Sequence, residues 1–80
     1  MRIGKLHEIF KSFFPQGAVT TEDNNPYWVV TIKGKDDEIV YVSTRIINRL
    51  EAMLLKKCQL VFAVLPEGGI RFIFDPEELR

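Results

Sequence analysis

Apolar residues open the chain three and four positions apart, at Ile3, Leu6, Ile9, Phe10, Phe13 and Phe14, a spacing that gathers them on one face of a helix over residues 1–14. Pro15 and Gly17 end that helix. The pattern then lapses: Thr20, Thr21, Glu22, Asp23, Asn24 and Asn25 read as a polar surface loop over residues 18–26. From Tyr27 the period becomes two. Trp28, Val30 and Ile32 fall on one side of a strand, with Tyr27, Val29, Thr31 and Lys33 on the other. A charged turn over residues 34–38 leads into a second strand at 39–42. Pairing Ile32 with Val40 and Val30 with Val42 keeps the large side chains together, since a one-residue slip would throw the set onto the opposite face.

The helical period returns after Ser43 or Thr44, either of which suits an N-cap, with Ile46, Ile47, Leu50, Met53, Leu54 and the stem of Lys57 as the inner stripe. Lys56 and Lys57 fall where positive charge complements a helix C-terminus. A second hairpin follows over residues 59–65 and 69–74. Its turn is Pro66, Glu67 and Gly68, and it pairs Val64 with Ile70, Phe62 with Phe72 and Leu60 with Phe74. Asp75, Pro76, Glu77 and Glu78 form an N-cap, an N1 proline and an acidic first turn, so the chain closes on one capped turn.

The order is helix, hairpin, helix, hairpin. It predicts an α+β domain of αββαββ type, with two helices packed on one face of a four-stranded antiparallel sheet. That order resembles, in topology alone, the half-domain of LAGLIDADG homing endonucleases. The signature of that family places an acidic residue at the end of the first helix, where Phe14, Pro15, Gln16 and Gly17 stand here, so the resemblance implies no function.

Eighty residues suit one core, so residues 1–80 form a single domain. With 46% apolar and 28% charged residues the chain lies among folded proteins. A core of this size supplies only about 3–5 kcal/mol, and a lone cysteine offers no internal disulfide, so self-association is expected. Eleven basic and eleven acidic side chains cancel, without the strong positive field of a dedicated DNA-binding domain. No apolar run approaches the roughly 18 residues that span a bilayer. A cytoplasmic, membrane-free setting is expected.

Candidate chemistry is sparse. His7 is the sole histidine, which leaves no histidine pair or triad within one chain; it reads as a helix-surface residue. Cys58 reads as a small apolar residue at a helix-to-strand junction. Asp36, Asp37 and Glu38 are consecutive, whereas a calcium loop alternates its ligands over about twelve residues around a glycine, so they read as a solvated turn, as do Glu22 and Asp23. Gly68 and Gly69 lie between strands, not between a strand and a helix as a phosphate loop requires. The expectation is a non-enzyme without metal or cofactor.

One sheet face is covered by the two helices. The other collects Tyr27, Val29, Thr31, Lys33, Ile39, Tyr41, Val61, Ala63, Arg71 and Ile73, more apolar than a solvated face requires. The expected function is a protein-binding or regulatory module that self-associates through this face, with Tyr27, Val29, Tyr41, Val61, Arg71 and Ile73 as partner-binding residues. The alternative is nucleic-acid binding, through Lys33 with a basic helix stripe of Arg45, Arg49 and Lys56, or through a tyrosine and arginine platform on the sheet. A third possibility is that the N-terminal segment or the turn at residues 77–80 covers the face.

Overall fold

The computed structural model describes residues 1–80, the side chain of Asp36 excepted. Its elements run α1 (Ile3–Phe13), β1 (Ala18–Asn24), β2 (Tyr27–Lys33), α2 (Asp36–Leu54), β3 (Val61–Val64), β4 (Ile70–Phe74) and a closing 3-10 turn (Pro76–Leu79). The strands form one antiparallel sheet in the order β1-β2-β4-β3, and the fold is of the α+β class. The two long strands of the middle of the chain and the second hairpin meet through β2 and β4, with Val30 opposite Phe72 and Ile32 opposite Ile70.

Helix α1 buries Leu6, Ile9 and Phe10. Its last turn is closed by the Phe14 amide donating to the Phe10 carbonyl, 3.1 Å, and the chain reverses with the Gly17 amide on the Phe14 carbonyl, 3.0 Å. The segment read as a polar loop is a strand. β1 pairs along its whole length with β2, Val19 opposite Ile32 and Thr21 opposite Val30, and a two-residue turn containing a cis Asn25–Pro26 bond joins them. β-branched Val19, Thr20 and Thr21 favour the extended backbone. The acids and asparagines that suggested a loop stand at the outer edge of the sheet, where water solvates them.

The strand expected at residues 39–42 is instead the first half of α2. Ile39, Ser43, Ile46, Ile47 and Leu50 recur at helical spacing and all are buried. Asp37 and Glu38 stand in the first turn, where carboxylates complement the helix dipole. Ile39 therefore belongs to the core, not to the second sheet face, and the partners of Ile32 and Val30 are Val19 and Thr21 instead of Val40 and Val42. Ser43 and Thr44 are interior helical residues and not caps: Ser43 Oγ donates to the Val40 carbonyl and Thr44 Oγ1 to the Tyr41 carbonyl, both at 2.8 Å. Leu55 ends the helix in the left-handed region, φ 56°, and Glu51 reaches forward to accept the Cys58 amide at 2.9 Å.

In the second hairpin Val64 faces Ile70 and Phe62 faces Phe72, as the turn chemistry predicts, while Leu60 lies before the ladder begins. The Leu65 amide donates to the Gly69 carbonyl at 2.9 Å and the Gly68 amide to Leu65 at 3.0 Å. Phe62 and Val64 share the parity of the core residues yet remain 42% and 55% exposed, because β3 is the outermost strand and the helix layer does not cover it. The two outer strands therefore differ: β1 carries Glu22 and Asp23, and β3 carries no charge.

The core centres on Phe10, whose ring lies 5.6 Å from Phe72 and 5.7 Å, nearly edge-on, from Phe74. Leu79 of the closing turn is buried in the same cluster. Asp75 Oδ1 accepts the Glu77 amide at 3.0 Å and so caps that turn, and the N-terminal ammonium of Met1 donates to the Leu79 carbonyl at 2.9 Å.

Candidate interaction surface on the open sheet face

Strand parity fixes what the uncovered face displays. Helices occupy the side of Val30, Ile32, Phe72 and Phe74, so alternate positions point the other way. The register sets them in rows across the sheet. Thr20, Thr31, Arg71 and Ala63 form one row, and Glu22, Val29, Ile73 and Val61 the next. Tyr27, half exposed, stands beyond Val29 on β2.

Five of the six expected partner-binding residues, Tyr27, Val29, Val61, Arg71 and Ile73, are thus neighbours on one face. Val29 is only 8% exposed and forms the floor, while Val61 at 42% and Tyr27 at 49% offer contact surface. Tyr41 does not join them. It lies on α2, 70% exposed, because the segment that was expected to pair in the sheet is helical.

Next to this row opens a cleft of about 460 Å³ lined by Tyr27, Gln59, Val61, Ile73, Asp75 and Glu78. Gln59, the first residue of the strand expected at 59–65, shares the parity of Val61, and Asp75 continues that of Arg71 and Ile73 one residue past the strand expected at 69–74, so parity alone points to both. Glu78 comes from the closing turn, whose Leu79 turns inward to the core; the turn flanks the open face instead of lying over it. Along β4 the face is polarised, with cationic Arg71 at one end, apolar Ile73 in the middle and the carboxylates Asp75 and Glu78 at the other.

The basic residues divide between the two sides of the sheet. Lys33 is exposed at the end of β2 on the open face, while Arg45 and Arg49 are exposed on α2 and Lys56 follows it. The Arg45 guanidinium lies 5.9 Å from the centre of the Phe13 ring and so leans on α1. Lys33 and the helix stripe form no single surface.

His7 Nδ1 hydrogen bonds Thr21 Oγ1 at 2.8 Å, tying α1 to β1. Its ring is half-buried and acts as a strut more than as the solvated side chain its position suggested. Burial, with the carboxylates of Glu51 and Glu78, pushes the Cys58 thiol above its ordinary range, opposed by Lys56; a thiol held protonated is a poor nucleophile at neutral pH. Among the described residues no group of three or more histidine, cysteine or acidic side chains is placed to hold a metal ion, and no helix is long and apolar enough to cross a membrane. No protein-family model, curated protein or solved structure matches this chain.

Proposed function

We propose that this chain is a small non-enzymatic protein-binding or regulatory module that associates with a second copy of itself through the open sheet face. The observation that carries the reading is the apolar row Val29, Ile73 and Val61 with Tyr27 beside it, on the side opposite both helices, where Val61 and Tyr27 stand exposed over the buried Val29. Contiguous exposed apolar surface of this kind marks interaction sites, and tyrosine and arginine at its margin match the composition of interface anchors.

Four strands about 4.8 Å apart and five residues rising about 3.3 Å each give a projected footprint of roughly 300 Å², a small patch of the kind that supports weak, transient association. The association is accordingly expected in the micromolar range and dependent on concentration. Light scattering after size-exclusion chromatography, at low and moderate salt and with and without a mixed single-stranded oligonucleotide, tests it. The reading expects a dimer that persists with salt and ignores the oligonucleotide. A salt-independent monomer at several hundred micromolar sinks it.

One observation favours nucleic acid as a second reading. Tyr41 stands one helical turn before Arg45 on the outer side of α2, with Arg49 a turn further on and all three exposed, which combines a stacking group with phosphate-binding charge. This reading expects a monomer that shifts with oligonucleotide only at low salt.

A further inference from the structure

Arg71 and Ile73 occupy successive open-face positions on β4, and Asp75, the extended residue that follows the strand, continues them, so the charge changes sign about 13 Å apart across an apolar midpoint. A face with that polarity is complementary to itself in one orientation. When two copies meet face to face about a two-fold axis that crosses the strands at Ile73, Ile73 meets Ile73 and each Arg71 is carried over the Asp75 and Glu78 of the other copy. The alternative axis, along the strands, sets arginine against arginine and acid against acid. Resting on the self-association reading above, we propose that the cleft between Tyr27, Val61, Ile73, Asp75 and Glu78 is the receptor for Arg71 of a second copy, so that each molecule gives one arginine and receives one.

Three features fit the cleft to this occupant. Asp75 spends Oδ1 on the Glu77 amide, 3.0 Å, which leaves Oδ2, and Glu78 adds a second carboxylate at the same wall. A planar guanidinium with paired donors is the cation that two convergent carboxylates recognise best. Val61 and Ile73 line the approach for the methylene stem, and the half-exposed Tyr27 lines the same cleft. Among the described residues Arg71 itself forms no ion pair and stands exposed, so it is available to a partner. Glu22 lies in the Ile73 row on the outermost strand, at the solvated rim of such a pair, where a like charge costs little.

The test is a charge exchange read by sedimentation velocity, with circular dichroism confirming the fold of each variant. Arg71→Glu alone and the double variant Asp75→Asn/Glu78→Lys alone are each expected to weaken the homodimer by about tenfold or more, because both set like charges together. Asparagine keeps the oxygen that caps the closing turn. Mixed in equal amounts, the two variants are expected to form a heterodimer within about threefold of the wild-type affinity, since one contact is then the wild-type pairing and the other is restored with its sign reversed. A wild-type dimer that Ile73→Lys abolishes but that mixing fails to restore overturns the arginine exchange and leaves the apolar face standing. A folded wild-type monomer at several hundred micromolar removes both.

Discussion

A β-carbon added at Gly69 would lie 2.5 Å from the Ile32 carbonyl oxygen and 3.0 Å from the Lys33 α-carbon, and the backbone there holds φ at +102°. Neighbouring Gly68 has a similar φ, +97°, but opens onto empty space. The two therefore separate backbone conformation from close approach. Gly68→Ala is expected to cost about 1 kcal/mol, the ordinary penalty for a left-handed non-glycine residue. Gly69→Ala is expected to cost about 3 kcal/mol or more, because β2 must also move away from the turn. Urea denaturation of the two variants compares them directly. At Cys58 the folded thiol has a raised pKa, so the folded chain holds the proton more tightly than the unfolded one. Stability is then complete below the ordinary thiol range and declines as pH rises through the raised value. Wild type should lose more stability than Cys58→Ala between pH 7 and pH 10 in paired denaturation curves, and equal losses would refute this.

The elements were legible in the sequence where period and punctuation agreed. Helix α1, strand β2, the hairpin turned by Pro66 to Gly68 and the Asp75–Pro76 cap fall where the residues predict, because glycine, proline and an unbroken period each bound them. The misreading lies between Ala18 and Ser43. Four residues such as Ile39, Val40, Tyr41 and Val42 satisfy the strand and helix periods equally, and only continuation through Ile46, Ile47 and Leu50 decides between them. β1 was hidden for the converse reason: an outer strand is under no demand to be apolar, and its pairing partner is the neighbour across Asn25 and Pro26. The same ambiguity moved Tyr41 off the candidate surface, while the parity of β2 and β4 fixed Tyr27, Val29, Arg71 and Ile73 on it. Tyr41→Ala accordingly should leave self-association unchanged and alter stability by no more than about 0.5 kcal/mol, since alanine is the better helix former at an exposed position. An equal loss of dimer in Tyr41→Ala and Tyr27→Ala, measured by light scattering, would restore Tyr41 to the interface.

At the scale of the whole molecule, one aromatic cluster joins both layers. Phe10 carries α1 onto Phe72 and Phe74, and Leu79 brings the closing turn to the same centre. Phe10→Ala should cost about 3–5 kcal/mol, comparable to the entire stability expected of so small a domain, and the variant is expected to lose its cooperative thermal transition by circular dichroism. The two outer strands have a different kind of consequence. Glu22 and Asp23 solvate β1, while β3 presents Val61, Phe62, Ala63 and Val64 without a charge. An uncharged edge is open to pairing with another strand and a charged edge resists it, so edge-to-edge contact, which is distinct from the face-to-face association proposed above, would stop at a pair. Replacing Glu22 and Asp23 together with threonine gives the molecule a second adhesive side. Thioflavin-positive filaments are expected from that variant at concentrations where the parent chain forms none, and equal filament formation by both chains would remove Glu22 and Asp23 as the guard of that edge.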